Sequence, residues 1–380
     1  MSTYCVLSTF EIETAALVLL KRAGKKFRID NMPSAENLAI LPGALVVVTG
    51  ANGFIASHVV DQLLLAGYQV RGTVRNTKRA EWMIGYFSAK YGPGKFEVTE
   101  VQQMADPGAF DNAVQGASGV IHLATPVMQS YDPNEAVPMV VNGALNALKA
   151  AVKEPLITRV VMTSSSTAAA SPVPNVEFVI DDKTWNNEAV KAAWAPPPYE
   201  GEQRKLDVYS ASKTQSEQAA WKWMEENKPG FVLNTVLPNA NIGVVLSPEH
   251  QGTPSTVGWV KAVWDGFKGN EKLAFNPPQY YVNVQDTARV HVGALIYPDV
   301  DSERLIDFAH PFNWNDILAI FRKLYPTHQF IDDIPDLGRD LSKVANGRAE
   351  EIVKRFGRVG WTSLEDSIRD ATLGWAFPEM

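Results

Sequence analysis

Residues 46–56 read Val-Val-Val-Thr-Gly-Ala-Asn-Gly-Phe-Ile-Ala, and this stretch constrains the fold more than any other in the chain. The three β-branched residues predict a short buried strand. A glycine turn follows and opens straight into a helical pattern. Phe54/Ile55, Val59/Val60 and Leu63/Leu64 recur near helical spacing until Gly67 stops the helix at its C′ position. Strand, glycine turn and helix N-terminus together make a phosphate site. Glycines let the backbone close on a pyrophosphate, while free N–H groups and the helix dipole favour its charge. The spacing Gly50-x-x-Gly53-x-x-Ala56 departs from the commoner G-x-G-x-x-G, so this loop alone also fits a tight structural turn. The rest of the chain decides between them.

Strand and helix patterns go on alternating. Strands are expected at 68–74, 96–101, 118–124 and 159–163, with helices at 79–91, 107–115 and 135–152. That order implies right-handed βαβ units, a parallel sheet covered on both faces, and ligands beyond the carboxyl ends of the strands. The expected fold class is α/β, a doubly wound parallel (Rossmann) sheet with a smaller C-terminal substrate lobe. With 380 residues and 46% hydrophobic content there is enough chain for both. The expected division is an N-terminal extension (1–38), a dinucleotide-binding core with the catalytic helix (39–237), and a mainly substrate-binding lobe (238–380) with some segments returning to the core.

In the extension, the apolar patch at 15–20 follows Glu11 and Glu13 and precedes Lys21, Arg22, Lys25, Lys26 and Arg28. That is the wrong charge order for a secretory signal, and the patch is too short to span a membrane. The expectation is that residues 1–31 are dispensable, either a mobile arm or an upstream start outside the working enzyme, which would begin near Met32. A net charge of −7 without a long basic run argues against nucleic acid or an anionic membrane as partner. Cys5 is the single cysteine, which excludes an internal disulfide and suits the cytoplasm. Six scattered histidines (58, 122, 250, 291, 310, 328) show no ligand spacing, so no metal is expected.

Arg75 stands at the end of the second strand, 25 residues after Gly50, and Lys78 and Arg79 follow at once. Many NAD-binding folds place an acidic residue there for the ribose hydroxyls; a cation suits a 2′-phosphate and hence NADP(H). Charge-assisted bonds contribute about 1.5–3 kcal/mol each. Two of them would favour NADP over NAD by roughly two to four orders of magnitude.

Two Tyr-x-x-x-Lys stretches occur. Tyr86/Lys90 lies in the first crossover, ahead of the strands that would build a catalytic wall, and reads as structural. Tyr209/Lys213 lies in a predicted helix 44 residues beyond Ser165, which closes the Thr163-Ser164-Ser165-Ser166 strand end. The i, i+4 spacing puts both side chains on one helix face.

In this order the sequence resembles the extended branch of the short-chain dehydrogenase/reductases. Within that branch it resembles the dihydroflavonol-reductase-like group and the fungal NADPH-dependent aldehyde and ketone (carbonyl) reductases. VTGANGFIASHVV, VRGTVRN, VVMTSSS, VYSASK, LPN, PPQYYV, FRKLYP and GRVGW carry the likeness, from about residue 39 to 370. The resemblance implies Ser165, Tyr209 and Lys213 as the catalytic trio. It implies Gly50, Asn52, Gly53, Phe54, Ile55, Arg75, Arg79, Ala124 and Pro238, with Tyr209 and Lys213, around the cofactor. Three features depart from the pattern. Ala56 replaces the usual third glycine, Gln102-Gln103-Met104 stands where an acidic residue often contacts adenine, and Ser166 leaves the choice of hydroxyl open between itself and Ser165.

The chemistry of that trio suits carbonyl reduction. Hydride goes to the carbonyl carbon while the oxygen gathers negative charge that a phenol can quench. A free phenol has a pKa of about 10; a lysine about 4 Å away at an effective dielectric of about 20 contributes roughly 4 kcal/mol, enough to bring Tyr209 near neutrality. Ser165 would orient the carbonyl, and Lys213 would also hold the nicotinamide ribose. Substrate walls are expected from Thr125, Val127, Ser165, Trp259, Gln279 and Tyr280, mostly uncharged, which suits a neutral, fairly hydrophobic aldehyde or ketone. Expected partners are that small carbonyl compound and, at most, a second copy in a homodimer. Two alternatives remain: a nucleotide-sugar epimerase or dehydratase of the same fold, and a catalytically silent NADP-sensing regulator. No arginine occurs between Arg204 and Arg289 to grip a sugar diphosphate, and such regulators commonly lack the Tyr/Lys pair. The Tyr motif also lacks the Asn-Trp-Tyr-Cys surroundings of cinnamoyl-CoA reductases.

Overall fold

The computed structural model describes residues 37–125, 130–373 and 375–376, so the expectations for most of the N-terminal extension and for Val127 lie outside the described residues. At its centre β1 (Leu45–Thr49) pairs in parallel with β2 (Gln69–Val74) on one side and β4 (Gly119–His122) on the other. Beyond β2 lies β3 (Phe96–Glu100); beyond β4 lie β5 (Arg159–Thr163), β7 (Val232–Pro238) and β10 (Arg304–Asp307). All seven strands are parallel. The chain leaves β1 in one direction through β2 and β3, then crosses back to β4. The crevice between β1 and β4 is therefore a topological switch point.

Helices cover both faces. α1 (Phe54–Leu65) follows β1, α2 (Glu81–Tyr91) precedes β3, and α3 (Pro133–Lys153) precedes β5. The short α4 (Ser166–Ala169) and α5 (Asn187–Ala193) lead to the long α6 (Glu202–Asn227), which packs along α3. Strand periodicity sorts the two faces. Val160 and Met162 of β5 join a buried cluster with Ala144, Ala147 and Leu148 of α3. Arg159 and Thr163 point the other way, to α9 (Val284–Ile296), where Arg159 donates to Ala294 O and Thr163 meets His291. Before α9 come α7 (Pro248–Gln251) and α8 (Val257–Trp264).

The helix expected at 107–115 is instead a run of turns. Gly108 sits at φ +77° and Gly116 at φ +73°, outside the right-handed helical region. Phe110 and Val114 are still buried against α3, so the apolar spacing reported packing correctly and the backbone wrongly.

After β7 the chain builds a second layer. β8 (Ala240–Ile242), β9 (Gln279–Asn283) and β11 (His310–Phe312) form a small sheet, and β6 (Val179–Ile180) pairs with β12 (Lys343–Val344). α10 (Trp314–Leu324), α11 (Gly347–Arg355) and α12 (Leu364–Thr372) complete it. Its core joins Val257, Val260 and Val263 of α8 to Trp314, Ile317 and Phe321 of α10 and Ile368 of α12. α9 and β10 come late in the sequence but lie on the large sheet. No helix among the described residues is long and apolar enough to cross a membrane.

Candidate active site

The glycine turn closes tightly on the end of β4. Gly50 has φ +66°, and a Cβ there would lie 3.1 Å from Ala124 Cα, so no other residue fits without strain. Thr49 locks the same junction. Its hydroxyl accepts from Leu123 N (3.0 Å) and Ala124 N (2.9 Å), and its own proton goes to His122 Nδ1 at 3.0 Å. Burial lowers the His122 pKa to about 3, so the imidazole is neutral and can accept that proton's hydrogen bond. Gly53 caps α1 with no side-chain hydrogen bond, which leaves the helix N-terminus open to an anion.

A cleft of about 640 Å³ runs from this loop across the strand ends. Gly50, Asn52, Gly53, Phe54, Ile55, Arg75, Ala124, Tyr209, Lys213 and Pro238 of the expected cofactor set line it, and so do Thr125, Ser165, Trp259 and Gln279 of the expected substrate set. Two expected residues do not. Arg79 lies exposed in the 3-10 turn after β2, outside the cleft lining, whereas Arg75 is at its rim. Tyr280 is buried, its hydroxyl donating to Ser342 O at 2.7 Å and its ring against Phe308. Alternation along β9 explains the difference, because Gln279 faces the cleft and Tyr280 the opposite side.

Tyr209 and Lys213 sit one turn apart on α6. The Lys213 ammonium donates to Thr163 O (2.9 Å) and Thr125 Oγ1 (3.3 Å). Burial lowers its pKa to about 8, with Glu217 one turn on opposing the shift. Ser165 caps α4, where its Oγ accepts from Thr167 Oγ1 (3.0 Å) and Thr167 N (3.3 Å). Ser165 and its neighbour Ser166 both line the cleft with Tyr209. Burial pushes the Tyr209 phenol up, and the Ser165 hydroxyl pulls it part of the way back. The outcome differs from the expectation that Lys213 brings Tyr209 near neutrality. Burial governs both groups, raising the phenol and lowering the lysine to about 8.

Several residues of the site carry no flag in the sequence. Glu217 accepts from Ser164 Oγ (2.6 Å), Thr235 Oγ1 (2.8 Å) and Arg304 Nε (2.8 Å), all out of water. Its one signal is position, four residues past Lys213 on the face that carries Tyr209. Asn239, Asn241 and Thr256 also line the cleft, with Asn241 Nδ2 donating to Asn239 O at 3.0 Å. The other Tyr-x-x-x-Lys stretch lies outside the lining: Lys90 pairs with Asp61 at 2.7 Å and Tyr86 packs edge-on to Trp82.

The NAD dependent epimerase/dehydratase family model matches residues 46–257. The chain is similar to aldehyde reductase 2 of Sporidiobolus salmonicolor, 46% identical over 89% of this chain and 98% of that protein. It is also similar to the NAD-dependent epimerase/dehydratase terH of Aspergillus terreus, 41% identical over 86% of this chain and 95% of that one. Among solved structures, yeast methylglyoxal/isovaleraldehyde reductase Gre2, complexed with NADPH, shares the fold with a TM-score of 0.71. It is 24% identical, over 86% of this chain and 97% of that one. The chain belongs to the NAD dependent epimerase/dehydratase family, the extended branch of the short-chain dehydrogenase/reductases.

Proposed function

We propose that this protein is an NADPH-dependent reductase that converts a neutral, fairly hydrophobic aldehyde or ketone to an alcohol. The observation that carries the reading is a single cleft that Ser165, Tyr209 and Lys213 line together and that begins at an open helix N-terminus. The site fits a dinucleotide: Gly50 and Gly53 leave room for a pyrophosphate at α1, and Arg75 offers its guanidinium to a 2′-phosphate. Bound there, NADPH supplies the hydride. Ser165 orients the carbonyl, Tyr209 delivers a proton to its oxygen, and the Lys213 ammonium offsets the charge left on the phenolate.

Arg75 and Lys213 are the only charged side chains among the described residues of the lining, so the substrate end favours an uncharged compound. The two arginines that bound the arginine-free stretch are engaged elsewhere. Arg204 donates to Ala192 O (2.8 Å) and Tyr131 O (3.2 Å), and Arg289 pairs with Asp286 at 2.6 Å. Neither reaches the cleft, which weighs against a sugar diphosphate. We further place the dinucleotide core at 39–237 and the substrate lobe at 238–380, in a cytoplasmic monomer or homodimer that does not need residues 1–31.

The test is NADPH oxidation against aldehydes, aryl ketones, β-keto esters and dihydroflavonols, with UDP-glucose as control. Turnover of one carbonyl class with NADPH preferred over NADH is expected. Turnover of UDP-glucose with retained NAD would overturn the reading.

A further inference from the structure

The last residue of β5 is held from behind. Thr163 presents its main-chain oxygen to Lys213 Nζ (2.9 Å) and its hydroxyl to His291 Nε2 (2.7 Å). His291 belongs to α9, across the sheet from α3, and its Nδ1 lies 2.8 Å from Thr287 O. A carbonyl only accepts, so Nδ1 carries the proton, Nε2 is the acceptor, and Thr163 is the donor. Thr287 passes its own hydroxyl to Asp307 Oδ2 at 2.6 Å. Thr163 is 8% exposed and His291, Thr287 and Asp307 are fully buried, so no water competes along this chain of contacts.

A sheet–helix interface ordinarily takes an apolar residue, as Val290, Val292 and Leu295 around this histidine do. An imidazole there needs both nitrogens satisfied. One of its two partners is the residue that anchors the cleft lysine. Lys213 has only Thr163 O and Thr125 Oγ1 as acceptors among the described residues. A small displacement of the β5 end therefore loosens the ammonium at once.

We propose that His291 is a positioning residue for Lys213, fixing the end of β5 so that the Thr163 carbonyl holds the ammonium beside Tyr209. The inference rests on the reading of Lys213 given above. Lys213 is faced by His122 of β4 and by Tyr209 and Glu217 of its own helix, Glu217 being paired with Arg304. None of these is hydrogen-bonded to His291, so its effect runs through Thr163. Burial holds the His291 pKa at about 4, so the imidazole stays neutral across the working pH range.

The experiment compares His291→Phe, His291→Gln, Thr163→Val and Lys213→Met with the wild type, measuring kcat and both KM values against pH. His291→Phe keeps a ring but no acceptor. It is expected to lower kcat about tenfold or more, a fraction of what a 1 Å misplacement can cost. Its alkaline limb should move to lower pH, with the carbonyl KM within about twofold. His291→Gln offers an acceptor again and should recover most of kcat. Thr163→Val should resemble His291→Phe, and the double variant should lose no more than either. A His291→Phe enzyme with wild-type kcat and pH limb overturns the proposal, whatever its melting temperature. If that variant does not fold, wild-type behaviour of Thr163→Val overturns it instead. Full activity in Lys213→Met would overturn the reading of the site and this inference with it. Loss in Lys213→Met alone would overturn only the inference.

Discussion

Ser164 donates a 2.6 Å hydrogen bond to Glu217, tying the strand end that carries Ser165 to the helix that carries Tyr209 and Lys213. The same carboxylate pairs with Arg304 at 2.8 Å, with both side chains almost wholly buried and the guanidinium 3.8 Å from the Trp185 ring centre. Removing one partner strands the other's charge out of water, at a cost of about 3–5 kcal/mol. Glu217→Gln should lower the unfolding free energy by that amount in urea titration. Adding Arg304→Met should restore much of it, since the pair gains little over apolar packing. If Glu217→Gln left the urea midpoint where it was, the buried pair would have no such role.

Lys213 sets the expected pH dependence. Its ammonium persists below about 8 and is lost above it. Tyr209, pushed up by burial, stays protonated across that range. Reduction should therefore be level below about pH 8 and fall as pH rises through it. The decline follows loss of the positive charge that steadies the phenolate, and does not reflect loss of the transferred proton. A kcat profile for reduction that is flat to pH 10 would contradict the role given to Lys213.

Three buried histidines make the fold sensitive to acid. Burial lowers His58 and His291 to about 4 and His122 to about 3. The unfolded chain protonates them near 6.5. Folded pKa values below the unfolded ones mean stability that is present above 6.5 and lost as pH falls toward 4. Near pH 5 unfolding should take up about three protons from these sites, a slope of roughly 4 kcal/mol per pH unit. Urea unfolding at pH 7 and pH 5 measures it; equal midpoints would show that these rings are protonated in the folded state.

The parts of the site that were legible in the sequence are those fixed by local geometry. Tyr209 and Lys213 share a face because any helix puts i and i+4 together, and Gly50 sits at a strand–helix turn that only glycine fits. The links that organise the site join distant stretches. Arg304 reaches Glu217 across 87 residues, and His291 reaches Thr163 across 128. Their partners follow from packing that no spacing records. Tyr280 went to the wrong face for a related reason: an aromatic pair in a strand does not reveal which member faces in. Lys213 shows the same limit in electrostatics, because spacing puts it on one face with Tyr209 but does not reveal the burial that lowers its pKa.

Arg75 should choose the cofactor. It lies at the cleft rim with no ion pair among the described residues, whereas Arg79 is outside the lining. Arg75→Asp should raise the NADPH KM far more than the NADH KM and affect kcat less, as expected for a contact made equally in ground and transition states. Arg79→Ala should have the smaller effect. An equal loss with both cofactors would place the 2′-phosphate elsewhere.

The proton-donor role proposed for Tyr209 is tested by comparison with its counterpart on α2. Tyr209→Phe removes the proposed proton donor, so kcat for ketone reduction should fall at least roughly 10²-fold, the low end for general acid catalysis. NADPH should still bind, because the glycine loop and Arg75 are untouched. Ser165→Ala should cost less, since Ser166 lines the same cleft and can supply a hydroxyl but not a replacement acid. Tyr86→Phe lies outside the lining and should leave kcat nearly unchanged. Single-turnover reduction with NADPH prebound separates chemistry from binding in all three variants. Near-normal reduction by Tyr209→Phe, or its loss in Tyr86→Phe, would show that the proton comes from another group.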